Sequence, residues 1–179
     1  MNLIEAIILG IIQGVTEWIP ISSEGITVLL GVKFIEGITV TELIRFSLYL
    51  HLGTFLAAVV YFKKDVADLI KQLIRYPKAD ADTKATLNFY IVATLVSGTL
   101  GLIVLKLIEK LEGVLDLTSK VVVIALGVLL LVTGLIQLIK KVEGQKTAGQ
   151  ANLVDGVLTG VAQGLAVLPG FSRSGMTVA

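Results

Sequence analysis

Polar residues fall along this chain in blocks rather than with a steady period. Three stretches carry no Lys, Arg, Asp or Glu: residues 46–62 (17 residues), 85–105 (21) and 121–139 (19). At 1.5 Å per residue, about 20 helical residues cross a hydrocarbon core of roughly 30 Å. The pattern predicts transmembrane helices over about 43–62, 85–105 and 121–139, with Leu43 and Ile44 extending the first past Arg45. Residues 64–76 read as an amphipathic surface helix that ends at the Pro77 turn.

Two further segments, 1–32 and 151–179, are apolar but broken by polar, Gly and Pro residues. At an offset of 150 they echo each other. Asn2 pairs with Asn152, Leu3 with Leu153, Gly10 with Gly160, Gln13 with Gln163, Gly14 with Gly164 and Ser22 with Ser172. Gly25, Thr27 and Val28 pair with Gly175, Thr177 and Val178, and Glu5 faces Asp155 conservatively. Apolar matches mean little in so apolar a chain, but it has only three asparagines and two of them pair. We read an internal repeat, with 1–150 as the first unit and 151–179 as the start of the second.

If 1–32 dips into the membrane and returns as a re-entrant hairpin, three spans separate the units. The second unit then begins on the opposite face, which is an inverted-topology repeat with its site near the midplane. A full span over 3–19 is the alternative. Pro20 favours the hairpin, because it interrupts the helix where a return turn is needed. The fold class expected is all-α: a polytopic membrane protein with inverted repeats and re-entrant hairpins. Its second repeat is truncated, so the pattern predicts a fragment that lacks activity alone.

Composition agrees. The chain is 55% hydrophobic and 16% charged, with mean hydropathy +0.89, which is the profile of a helical membrane protein. A net charge of +1 supplies no field for nucleic acid, and the absence of cysteine removes disulfides and thiolate metal sites. Six basic residues in 63–84 and three in 140–150 outnumber three in 106–120, so the positive-inside rule puts the first two loops in the cytoplasm and the third outside. The expected location is the cell membrane, with several passes.

Chemistry concentrates at the breaks. In "QGVTEWIPISSEG" (13–25), Gln13 and Glu17 share a helix face at i, i+4. A carboxylate at membrane depth usually faces a cavity, partner or ion; beside Trp18, Glu17 also suits the interface. Ser22 and Ser23 precede an apolar helix over 26–32, where serine is a good cap and helix-start N–H groups attract anions. In "LPGFSRSG" (168–175), Pro169 and Gly170 turn the chain before Ser172, Arg173 and Ser174. Arginine offers phosphate a rigid fork; a snorkelling interfacial arginine is the other reading. The repeat sets Arg173 at the place of Ser23, which pseudo-symmetry brings near Glu17 and Ser23. Together these groups suit a phosphorylated headgroup, with oily helices for a lipid tail. His51, mid-span in "LYLHLGTF", reads equally as a proton carrier or a packing donor. Thr54, Ser97, Thr99 and Thr133, near glycines, read as close-packing positions.

These two motifs resemble those of the undecaprenyl-diphosphate phosphatase (bacitracin-resistance) family. "QGVTEWIPISSEG" is similar to its E/Q-x-x-x-E motif followed by P-x-S-S-x-G, and "PGFSRSGMT" to its P-G-x-S-R-S-G-x-T motif. The resemblance covers the whole chain, although the family's usual length is greater. It implies hydrolysis of a polyprenyl diphosphate to the monophosphate, which recycles the lipid carrier of cell-surface glycan synthesis. It implies Glu17, Ser23 and Arg173 as catalytic residues. Gln13, Ser22, Gly170, Ser172, Ser174, Gly175 and Thr177 are implied as substrate contacts. Glu17 doubles as ligand to a divalent cation, Mg²⁺ or Ca²⁺. Expected partners are the polyprenyl diphosphate lipid and the bilayer, with a homodimer as an admissible assembly. Where the family carries His after the first motif's glycine, this chain has Ile26. The rival reading is a transporter or flippase for a phosphorylated lipid or an anion, since inverted repeats and broken helices also suit transport.

Overall fold

A computed structural model describes residues 1–115, 119–138, 146 and 148–178. Among them lie eight α-helices, two short 3₁₀ turns and no strand. Helix α1 (Leu3–Thr16) starts at a capping box: the Asn2 side chain accepts from the Glu5 N–H, and Glu5 reaches back to the Asn2 N–H. Thr16 turns its hydroxyl back onto the Ile12 carbonyl at 2.7 Å as the helix ends. Residues 17–22, with Pro20, return the chain into α2 (Ser23–Phe34), which Ser22 caps through the Gly25 N–H. The cap is therefore Ser22, and the helix opens at Ser23, ahead of the start expected from the apolar run.

Thr39 and Glu42 form a second capping box for α3 (Val40–Tyr61). It passes almost directly into α4 (Lys63–Ile74), which buries no residue, as the amphipathic pattern over 64–76 predicts. Helix α5 (Ala81–Leu115) is longer than the charge-free stretch that announced it. Lys106 and Lys110, expected in a loop, ride on its last turns. There the apolar positions 104, 105, 107, 108, 111 and 115 recur near the 3.6-residue period, and that keeps the chain helical past its first charges. Helix α6 (Ser119–Leu138) follows, and most of the loop 140–150 lies outside the described residues.

Among the described residues, two helices are long and apolar enough to cross a membrane, Val40–Tyr61 and Ala81–Ile108. The third expected span is shorter among the described residues, where Val123–Leu138 is an apolar helix below spanning length. Helix α7 (Leu153–Leu165) starts at Asn152 with Asp155 in the same capping box as Asn2 with Glu5. Its buried face is glycine: Gly156, Gly160 and Gly164 lie against Val92, Val96 and Leu100 of α5. The missing side chains let the two backbones approach closely, and α5–α7 is the most extensive helix pair among the described residues. Residues 166–172 then turn into α8 (Arg173–Val178).

The interior mixes an apolar cluster, with Leu9, Val28, Leu43, Ile44 and Leu126, and many polar groups. Gln13, Ser22, Ser23, Glu24, Thr27, Ser47 and Ser172 are buried, while α1 turns Leu3, Ile4, Ile7, Ile8 and Ile11 outward. An outer surface of Leu, Ile, Val and Phe around an interior with so many polar groups suits an apolar solvent. The sequence forms the same hairpin caps at both ends of the chain, and these place two turns side by side inside that shell.

Candidate functional site

The two turns meet through hydroxyls and backbone amides. Ser22 Oγ accepts from the Gly25 N–H at 3.1 Å and from the Gly170 N–H at 3.0 Å, so one side chain caps its own helix and grips the other turn. Gly170 has φ +96°, a conformation that glycine adopts without steric cost. A Cβ there would also fall 2.6 Å from the Leu129 Cβ. Its carbonyl accepts from the Thr133 hydroxyl at 2.8 Å. Ser174 Oγ donates to the Ile19 carbonyl at 3.3 Å, and the Gln137 amide donates to the Pro20 carbonyl. Ser172 Oγ accepts from the Gly175 N–H at 3.0 Å, the counterpart of the Ser22 cap.

Between the turns is a cavity of about 40 Å³ lined by Glu17, Ser22, Ser23, Ser172, Arg173 and Ser174, together with Glu24 and His51. Its geometry centres on Glu17. Ser23 Oγ donates to Glu17 Oε2 at 2.6 Å. Gln13 Nε2 donates to the same oxygen at 2.7 Å, lies 3.2 Å from Ser23 Oγ and 3.1 Å from His51 Nε2. The Thr27 hydroxyl donates to Gln13 Oε1 at 3.2 Å, which fixes the amide's orientation. A hydroxyl hydrogen-bonded this closely to a carboxylate has the geometry that a nucleophile beside a base requires.

Seven of the residues singled out in the sequence, Glu17, Ser22, Ser23, His51, Ser172, Arg173 and Ser174, thus line one cavity. Gln13 does not: it is fully buried behind Glu17 and Ser23 and holds both. Gly170 and Gly175 also lie off the cavity lining, because their N–H groups already bond Ser22 and Ser172. They shape the turn and the helix start. The backbone of Thr177 continues α8, and its side chain lies outside the described residues. His51, which spacing left undecided, reaches Glu17 at 3.2 Å. Glu24 is 3% exposed, with Oε1 unpartnered. No signal in the sequence distinguished Glu24 from the other charges near the turn, although a carboxylate inside an apolar segment is itself a flag.

No group of three or more His, Cys, Asp or Glu among the described residues could hold a metal. Two carboxylates, Glu17 and Glu24, nevertheless line the cavity. That donor set fits a hard cation of the Mg²⁺ or Ca²⁺ kind only where a phosphate supplies further oxygens, the usual mode for Mg²⁺. The cavity also shares Glu17, His51, Arg173 and Ser174 with an open groove of about 670 Å³, whose other walls include Trp18, Leu48, Leu52, Phe55 and Ala58. A polar pocket therefore leads directly into an apolar channel on the outer face of α3.

Comparison with known proteins bears on this geometry. The family model described as Bacitracin resistance protein BacA matches residues 6–179. Among curated relatives named undecaprenyl-diphosphatase, one from Methanococcoides burtonii is 37% identical, over 99% of this chain and 66% of its own length. One from Haloarcula marismortui is 40% identical, over 97% of this chain and 63% of its own length. One from Saccharolobus islandicus is 35% identical, over 96% of this chain and 60% of its own. The chain thus spans 60 to 66% of the length of these relatives. No solved structure matches it significantly.

Proposed function

The chain belongs to the bacitracin resistance protein BacA family, and from that premise we propose that it is a membrane phosphatase. Its substrate is a polyprenyl diphosphate of the undecaprenyl type, hydrolysed to the monophosphate and phosphate, so that the lipid carrier of cell-surface glycan synthesis is recycled. The observation that carries this reading is the Ser23–Glu17 hydrogen bond of 2.6 Å, in a cavity that also presents Arg173. The apolar groove joined to that cavity supports a lipid rather than a soluble diphosphate.

Ser23 attacks the terminal phosphorus while Glu17 takes its proton. Arg173 stabilises the charge spread over the phosphoryl oxygens, where a planar, permanently charged donor is most effective. Ser172 and Ser174 orient the phosphate, with Thr177 completing the motif. Gln13 holds Glu17 and Ser23 in register. Glu17, with Glu24, would hold a Mg²⁺ or Ca²⁺ that would supply charge neutralisation for the diphosphate. The same caps at positions 150 apart and the paired turns support an inverted repeat of two re-entrant hairpins, with 121–139 as a further span of a multi-pass protein of the cell membrane.

The test is phosphate release from a polyprenyl diphosphate by the protein purified in detergent. Ser23→Ala and Arg173→Ala are expected to abolish most of it, and release that survives both changes refutes the reading. A transporter needs Arg173 for binding but has no use for an activated serine. Lipid binding without any phosphate release is the outcome that favours transport.

A further inference from the structure

Helix α6 belongs to neither hairpin, yet it holds the turn of each. Thr133, which beside Gly134 reads in the sequence as a close-packing position, is buried and donates its hydroxyl to the Gly170 carbonyl at 2.8 Å. Gln137, one helical turn later on the same face, donates its amide to the Pro20 carbonyl. The second turn lies directly on this helix, since a Cβ at Gly170 would come 3.2 Å from the Leu126 carbonyl oxygen and would clash with Leu129. One face of α6, running through Leu126, Leu129, Thr133 and Gln137, thus backs both turns.

A glycine of the second motif fits the same arrangement. A Cβ at Gly175 would fall 2.7 Å from Gln137 Nε2, so the missing side chain leaves the passage through which the amide reaches Pro20. A turn carbonyl lacks a helical partner, and at membrane depth no water replaces one. A donor that met this need alone could come from any nearby element. What sets α6 apart is that its two donors serve different halves of the site. One holds the turn between Glu17 and Ser23, and the other holds the turn that leads into Ser172, Arg173 and Ser174. The direct bonds Ser22–Gly170 at 3.0 Å and Ser174–Ile19 at 3.3 Å join the turns along one seam. Anchoring both turns to one rigid helix adds restraint from outside that seam.

We propose that Thr133 and Gln137 are positioning residues that hold the two turns on α6 as one frame, so that Arg173 meets the phosphoryl group at a fixed distance from Ser23. The inference rests on the phosphatase reading above and adds no chemical step to it. Neither residue lines the cavity; each acts through a turn. Phosphoryl transfer depends mainly on placement and charge, and a displacement of about 1 Å can cost about 10²-fold in rate.

Phosphate release from a polyprenyl diphosphate by the protein in detergent, measured on wild type, Q137M, T133V, T133S and G175A, tests this. Methionine and valine keep the approximate shapes of glutamine and threonine and remove the donors. Q137M and T133V are each expected to lower kcat by about 10- to 10²-fold, with KM held because Arg173 and the serines still meet the phosphate. T133S keeps the hydroxyl and is expected to keep the wild-type kcat. G175A displaces the amide without removing it and is expected to match Q137M. A double-mutant cycle with R173K supplies the readout that a purely structural role leaves unmoved. If Gln137 acts by placing Arg173, Q137M costs much less kcat on the R173K background than alone, whereas a structural defect costs the same on both. Equal costs on the two backgrounds overturn the proposal, as do wild-type rates in Q137M and T133V or a T133S as impaired as T133V. Should Q137M fail to fold, T133V, its serine rescue and its own cycle with R173K decide. A wild type that releases no phosphate refutes the phosphatase reading, and the inference falls with it. A wild type that releases phosphate beside unaltered variants refutes the inference alone.

Discussion

Ser22→Ala separates two roles that the hairpins combine in one hydroxyl. In the first hairpin, Ser22 Oγ accepts from the Gly25 N–H of its own helix and from the Gly170 N–H of the other turn. In the second, Ser172 Oγ caps the Gly175 N–H at 3.0 Å and meets the Ser174 hydroxyl at 3.1 Å, but holds no amide of the first turn. Loss of a serine cap costs about 1 kcal/mol. An orphaned N–H costs about 1–3 kcal/mol more where no water can replace its partner, and Gly170 and Ser22 are both buried. Ser22→Ala is therefore expected to cost about 2–4 kcal/mol by these two terms together. Ser172→Ala is expected to cost about 1–2 kcal/mol, its cap and the bond to the Ser174 hydroxyl. Titration of each variant with SDS from mild detergent, followed by the helical circular dichroism signal, measures the difference. Equal losses for the two variants refute the idea that Ser22 bolts the turns together.

At the site, Glu17→Gln removes the proposed base but keeps the side chain's shape, and kcat for phosphate release is expected to fall by about 10²–10⁴-fold; the substrate's KM reports whether the pocket has stayed intact. On the α5–α7 contact, Gly160→Ala puts a Cβ 2.7 Å from the Val96 Cβ and 2.9 Å from the Ala93 carbonyl oxygen. It is expected to cost about 1–3 kcal/mol through overpacking. Gly98→Ala on α5 meets nothing within 4 Å, so it is expected to leave the same SDS midpoint unchanged or raise it. At the head of α5, Asp80 Oδ1 accepts from the Thr83 N–H at 2.8 Å. Bonding to the Thr83 side chain and backbone holds its carboxyl below the usual range. A lowered carboxyl contributes stability above its unfolded pKa of about 3.9 and loses it as pH falls through the folded value. Asp80→Asn keeps a cap without the charge, so its hydrogen-exchange protection at the start of α5 is expected to lose less than wild type when the pH is taken below 4.

What the sequence announced follows from what its local patterns can encode. The charge-free stretches located α3, α5 and α6, because spanning length and hydropathy are local properties. They misplaced the end of α5, since helical periodicity continued beneath Lys106 and Lys110 where a charge count saw a loop. The echo at 150 located both turns because each cap needs its own hydroxyl three residues before an N–H. It did not reveal that Ser22 holds Gly170, a contact 148 residues apart that only packing creates.

The same distinction explains the composition of the site. Gln13 and Glu17 were legible as a pair because four residues of helix bring them to one face. Their third neighbour was not, since His51 arrives from another helix and its spacing to Glu17 carries no periodic meaning. What these residues share is one oxygen: Glu17 Oε2 accepts from Ser23 of α2 and Gln13 of α1 and lies 3.2 Å from His51 Nε2 of α3, so three helices converge on a single carboxylate. Only packing brings the chain's single histidine to that point.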